Sequence, residues 1–192
     1  MNSKPADPLD SRIVAMALGD MATRFSLEVI EHCASTSSVL LDRAMPDQAS
    51  GSVVVCERQT AGRGRRGRSW LSAPGDSLTF SMLWRFPPGM LPPAGLSLAV
   101  GVAAARALEG MGAAGVRLKW PNDILVRGQK LCGLLVEAEA MTDGGLAVVA
   151  GIGTNIIESY SPLLYRTTNG GLEWEKRQVG GKGTIDFIQF LP

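Results

Sequence analysis

Histidine is nearly absent from this chain. His32 is the only one, and the cysteines Cys33, Cys56 and Cys132 are odd in number, scattered, and without a Cys-x-x-Cys pair. That excludes the usual spacings of a structural zinc site and offers no Cys–His or Ser–His–Asp set for nucleophilic catalysis. Unpaired thiols of this kind fit a reducing, cytoplasmic compartment. No apolar run approaches membrane-spanning length, and Asp7, Asp10 and Asp20 around Ile13–Leu18 argue against a secretory signal. Net charge is also scarce: at +1, the chain is not a generally basic surface for coating nucleic acid. With 45% hydrophobic and 19% charged residues over 192 positions, the composition is that of an ordinary soluble domain carrying a short appendage.

What positive charge there is collects in one place. Glu57–Trp70 holds five arginines (Arg58, Arg63, Arg65, Arg66, Arg68) against one carboxylate, with Gly62, Gly64 and Gly67 between them. Glycines bring backbone N–H groups close to a ligand, and guanidinium groups make forked, charge-assisted hydrogen bonds. The stretch suits a mobile loop ordered by a bound phosphate or carboxylate. It equally suits an RGG-like nucleic-acid contact, and the loop by itself leaves both open. The Walker pattern Gly-x4-Gly-Lys-Ser/Thr is absent.

Around this loop the pattern predicts a helix within Ser11–Thr23 and a strand over Phe25–Glu31. A hydroxyl-capped helix start is expected at Ser35–Ser38, with further strands at Ser52–Cys56 and Ser77–Phe86. Alanine-rich Leu96–Met111 reads as a helix largely buried against a sheet. Strands follow at Val116–Trp120, Asp123–Val126, Lys130–Glu137 and Leu146–Gly151, joined by short turns such as Arg127-Gly128. The expected class is α+β: a mixed, largely antiparallel sheet with helices on one face. The residues ahead of the first strand, 1–24, are too few for a helix-turn-helix, so no DNA-binding domain is expected.

Four further segments carry candidate chemistry. Ser35-Thr36 is either a helix cap or a ligand contact. Lys119-Trp120-Pro121-Asn122-Asp123 closes a strand with a lysine and an aspartate that suit a phosphate and its Mg2+, or is simply an Asn-Asp turn. Lys130-Leu131-Cys132-Gly133 sets a glycine in an apolar strand, a mark of close backbone approach. Gly151-Ile152-Gly153-Thr154-Asn155 places two glycines before an amide.

Taken in order, Ser-Thr, Gln-Thr-Ala-Gly-Arg-Gly-Arg-Arg-Gly-Arg-x-Trp, Lys-Trp-Pro-Asn-Asp, Lys-Leu-x-Gly-x-Leu-Val-Glu and Gly-Ile-Gly-x-Asn, the chain resembles the catalytic domain of biotin protein ligases from about Phe25 to Ile156. The resemblance implies a fold related to class II aminoacyl-tRNA synthetases. It also implies ATP, biotin and Mg2+ as cofactors, and formation of biotinyl-5′-AMP. Biotin would then pass to a lysine of a biotin carboxyl carrier domain, the protein partner. It implies catalytic charges at Arg65 and Lys119 and biotin contacts at Ser35, Thr36, Gln59, Gly62, Arg63, Arg65, Lys130 and Gly133. Nucleotide contacts fall on Arg66, Arg68, Trp70, Lys119, Asn122 and Asn155, and Mg2+ on Asp123. A homodimer through exposed strand edges is a further expectation, as is a lipoate ligase or an inactive binding module as the alternative function.

The sequence departs from that family in two places. Ala34-Ser35-Thr36-Ser37 stands where Asp-Ser-Thr-Asn is usual, removing two hydrogen-bonding partners of the Ser-Thr turn. After Ile157 the family's further helices are not recognisable. Leu164–Lys176 instead resembles one Asp-box repeat of a sialidase-like β-propeller, with Thr167, Asn169, Gly171 and Trp174 in the signature places and Ile185–Phe190 as a following strand. The expected division is therefore an extension (1–24), a C-terminally incomplete catalytic domain (25–157) and an unrelated hairpin-like tail (158–192), with full activity in question.

Overall fold

Asp10 opens the first helix by accepting a hydrogen bond from the Arg12 amide at 2.8 Å. The computed structural model describes residues 9–44 and 49–155, together with the backbone of two short strands at 164–166 and 175–177. Helix α1 (Ser11–Leu18) runs into a 3-10 turn (Gly19–Arg24), so the predicted helix is present but split. Then come β1 (Ser26–Cys33), α2 (Thr36–Arg43), β2 (Ser52–Gln59), β3 (Gly62–Arg63), β4 (Ser69–Trp70), β5 (Ser77–Phe86) and α3 (Leu96–Gly110). The chain continues through β6 (Val116–Lys119), β7 (Asp123–Val126), β8 (Gln129–Ala140) and β9 (Leu146–Asn155). Strands β10 (Leu164–Arg166) and β11 (Glu175–Arg177) pair antiparallel, while residues 167–174 and Ile185–Phe190 lie outside the described residues.

Seven strands form one sheet in the order β1-β2-β5-β9-β8-β7-β6, parallel only between β1 and β2. This is the mixed, largely antiparallel sheet the sequence predicts. The two-residue connection between β7 and β8 is Arg127-Gly128, both at positive φ (53° and 82°), the geometry that matches strand twist in a tight hairpin.

The helices do not share a face, contrary to expectation. Gly133 pairs with Gly153 and Leu134 with Ile152, so neighbouring positions on β8 and β9 point to opposite sides. A Cβ on Gly151 would meet Ser37 of α2, whereas one on Gly101 of α3 would meet Leu134. Helix α2 therefore covers the side of Gly133, Gly151 and Gly153, and α3 covers the side of Leu134 and Ile152. The cause lies in β9, whose Leu146–Gly153 run is almost continuously apolar or small rather than alternating, so both of its faces need a cover. Leu40, Val54, Leu83 and Val149 make the core under α2, and Ala105, Ile124, Cys132 and Leu134 the core under α3. Helix α3 buries only Gly101 and Ala105 fully, with Leu98 and Val102 exposed, less than its apolar composition predicts.

Candidate active site

On the α2 side of the sheet, α2 covers one end and leaves the other to the arginine loop. The N-terminal turn of α2 is tied down by side chains from β2 and β5. Gln59 Oε1 accepts from both the Thr36 amide (2.8 Å) and Thr36 Oγ1 (3.2 Å). Ser81 Oγ shares hydrogen bonds with Thr36 Oγ1 at 2.7 Å and Ser37 Oγ at 3.0 Å. Ser35, Thr36, Ser37 and Ser81 are all buried. Ser35 occupies the N-cap position, yet its side chain makes no capping bond, so the plain helix-cap alternative does not describe it. The Ser-Thr turn that lacks its usual Asp and Asn neighbours is held here by Gln59 and Ser81.

The arginine loop is not shapeless. Gly62 pairs with Trp70 and Arg63 with Ser69, and the Gly64 amide donates to the Arg68 carbonyl at 2.7 Å. Sequence reasoning treats the loop as unable to order itself because no apolar residue lies between Gly62 and Ser69. The apolar anchor is Trp70, one residue beyond that limit and 8% exposed. Its indole lies flat on the cross-strand pair Gly133–Gly153, where a Cβ on Gly153 would fall 2.4 Å from Trp70 Cε2 and one on Gly133 3.1 Å from Cζ3. Both glycines are thus explained by one ring. At the tip, Arg66 (φ 58°) and Gly67 (φ 72°) turn the chain back, and Arg66 stays exposed.

Charged groups ring this stack. Lys130 Nζ lies 5.8 Å from the Trp70 ring centroid and 2.8 Å from Asp123 Oδ1. Arg63 Nη2 meets Glu137 Oε2 at 3.1 Å, and Arg65 Nη1 reaches Asn122 Oδ1 at 3.4 Å. Asn122 is fixed in turn, since its Nδ2 donates to the Leu134 carbonyl at 2.9 Å. Lys119 ends the edge strand β6 opposite Asp123 and is exposed, and Asn155 ends β9 opposite Ser77. Arg68 is exposed on the loop.

The structure therefore gathers Ser35, Thr36, Gln59, Arg63, Trp70, Asn122 and Gly133 around one inner gap. Trp70, expected beside the nucleotide, lies among the residues expected to touch biotin. Gly62 lines an outer cleft, and a Cβ there would be 2.4 Å from the Trp70 carbonyl oxygen. Arg65, Arg66 and Arg68 line the same cleft with Leu135 and Glu137. The inner gap is only about 40 Å3, room for about one water molecule. The outer cleft is about 660 Å3, within the range of small-molecule sites. Thr79 and Ser81 are site residues that the sequence does not single out, while Ser37 and Glu137 stand in its motifs without an assigned role. Thr79 and Ser81 carried a signal: polar side chains at period two, in phase with Leu83, on a strand buried on that face.

Mg2+ commonly takes one or two carboxylates, with phosphates and water completing its shell. Asp123 is already engaged by Lys130, and among the described residues no three His, Cys, Asp or Glu side chains converge. Asp123 would have to leave Lys130 to serve as a carboxylate for Mg2+, and no step below passes through an ion.

A seven-stranded mixed sheet thus carries an arginine loop across one face and a paired-glycine floor, an arrangement suited to an anionic ligand. The match to known proteins agrees: residues 29–155 fit the biotin/lipoate A/B protein ligase family, and the chain belongs to that family. It is 43% identical over 131 residues to the bifunctional ligase/repressor BirA of Escherichia coli, covering 68% of this chain and 40% of that protein. It is 35% identical over 158 residues to the biotin–[acetyl-CoA-carboxylase] ligase of Mycobacterium tuberculosis, covering 79% of this chain and 58% of the relative. Among solved structures, a biotin protein ligase from Aquifex aeolicus in complex with biotin and ATP superimposes with a TM-score of 0.58 at 34% identity, covering 71% of this chain and 55% of that one. The chain thus spans about half the length of these relatives. The class II synthetase-like fold implied by the motifs stands.

Proposed function

We propose that this chain is an ATP-dependent biotin protein ligase, forming biotinyl-5′-AMP and passing biotin to a lysine of a carboxylase carrier domain. The observation that carries the reading is Trp70 on the Gly133–Gly153 floor, with the Thr36–Gln59–Ser81 hydrogen-bond cluster at one side and the arginine cleft at the other. A fused-ring ligand with a polar head and a carboxylate tail suits that sequence of surfaces. The buried hydroxyls and amide take the head, the indole takes the rings, and the arginines take the carboxylate and the phosphates.

The reaction is attack of the biotin carboxylate on the α-phosphate of ATP, breaking the α–β phosphoanhydride bond so that pyrophosphate leaves, and it needs no protein nucleophile. Two anions that repel each other must be held together, and charge building on the phosphoryl oxygens must be met by fixed cations. Arg65 and Lys119 are the residues assigned to that work. Arg63, Lys130 and Gly133 belong to the biotin side, and Arg66, Arg68, Asn122 and Asn155 to the nucleotide side. The mixed anhydride is sensitive to water, and a loop closed by Trp70 shields it.

Biotin-dependent exchange between ATP and labelled pyrophosphate should be present in this chain and lost in Arg65→Ala and in Lys119→Ala. Exchange that persists in both variants would sink these assignments. Because the family spans biotin and lipoate, the same assay with lipoate in place of biotin separates the two substrates. No exchange with either acid, beside retained biotin binding, would mark the chain as a binding module only.

A further inference from the structure

We infer that Glu137 is a positioning residue of this site: it anchors Arg63 and so latches the arginine loop against the sheet before any anionic ligand arrives. The inference rests on the reading of the loop as part of the ligand site and names a residue which that reading leaves out. Glu137 lies on β8 four positions beyond Gly133, so strand alternation puts both on the loop's side of the sheet. Its carboxylate meets Arg63 Nη2 at 3.1 Å. Among the described residues it is the one acid lining the outer cleft, which it shares with Arg63, Arg65, Arg66 and Arg68.

Besides the long Arg65–Asn122 hydrogen bond, two contacts of different kind hold the two ends of the loop. Trp70 anchors its C-terminal end by packing, with nothing in its geometry that an anion would disturb. The Arg63–Glu137 pair holds the N-terminal arm by charge, and a ligand carboxylate or phosphate entering the cleft competes for the same guanidinium. With the two side chains 46% and 27% exposed, the pair is partly screened, so its effect is modest and its exchange easy. A stronger buried pair would hold Arg63 too firmly to be handed to a ligand.

The loop's own arginines make the test direct, because trypsin cleaves after them only when the segment opens. In the ligand-free chain, cleavage after Arg65, Arg66 and Arg68 should quicken in Glu137→Gln by about two- to five-fold relative to cleavage after Arg24. Arg63→Glu should do the same, and the double reversal Arg63→Glu/Glu137→Arg should bring the rate back toward that of the unaltered chain. Biotin association should slow in Glu137→Gln, because the loop is no longer held ready for the ligand, with thermal unfolding unchanged. Equal loop cleavage in all four proteins, or a double reversal no slower than either single variant, would overturn the latch. Failure of biotin to bind at all would instead count against the proposed function and leave the cleavage result standing.

Discussion

Gly153 shows what a single residue decides at this site. A Cβ there would sit 2.4 Å from a ring atom of a tryptophan that is itself only 8% exposed, so neither side can give way cheaply. Gly153→Ala should cost about 1–3 kcal/mol of stability, the usual range for overpacking. It should also push Trp70 toward solvent, read as a red shift in the emission difference between proteins with and without Trp70→Phe. Gly151→Ala is the informative contrast. Its Cβ would clash with Ser37 Oγ alone, at 2.6 Å, with Ser81 Oγ and the Leu135 carbonyl at ordinary contact of 3.4 and 3.5 Å, and the Ser37 hydroxyl can rotate away at the loss of its bond to Ser81. That loss is worth about 0.5–1.5 kcal/mol, and Trp70 emission should not change. Equal shifts in both variants would mean that Trp70 does not rest on this floor. Ser81→Ala belongs beside them: Thr36 keeps Gln59 as a partner while Ser37 loses its own, so a loss of about 1 kcal/mol is expected in urea unfolding.

At the scale of elements, strands were legible where composition and period agreed. β5 and β7 have the predicted ends, Ser77–Phe86 and Asp123–Val126, because turn residues bound them on both sides. β8 and β9 run further than predicted, to Ala140 and Asn155, because their added residues pair with each other or with β5, a gain no single segment displays. The site's motifs were legible for a similar reason, since Arg63, Gly133 and Lys119-to-Asp123 stand in recognisable order. Ser81 and the pairing of Glu137 were not, because each acts through a partner 44 or more positions away in sequence. The placement of α3 was hidden too: an all-round apolar helix fits either face of an all-round apolar strand. One consequence of β8 can be measured. Burial pushes the Cys132 thiol up to about 11 from 9.0. A raised folded-state value means that the unfolded chain releases this proton first, above pH 9, while the folded chain still holds it. Stability is therefore fully present below about pH 9 and falls as pH rises toward 11, by on the order of 2–3 kcal/mol. Cys132→Ala should flatten that fall when urea unfolding is compared at pH 8 and pH 10.5; an unchanged slope would mean that the thiol is not the group responsible.

At the scale of the whole molecule, charge is nearly balanced and locally lopsided. The net charge is +1, while the outer cleft presents four arginines to one carboxylate. A surface that coats a polyanion needs many cations spread along it, and its affinity then falls steeply with salt, by roughly 0.7 in log–log slope for each phosphate neutralised on a single strand. Four arginines, one of them paired with Glu137, set a ceiling of about 3 on that slope and give little affinity at physiological ionic strength. A small polyphosphate inside a cleft of about 660 Å3 is met by those cations at short range, where screening over about 8 Å matters less. Pyrophosphate and ATP binding should therefore weaken only a few-fold between 50 and 200 mM salt, while single-stranded RNA binding should be weak at 50 mM and lost at 200 mM. Titrating both ligands across that range by calorimetry or fluorescence checks the contrast. Tight RNA binding with a slope well above 3, and no measurable pyrophosphate binding, would return the arginine loop to a nucleic-acid contact.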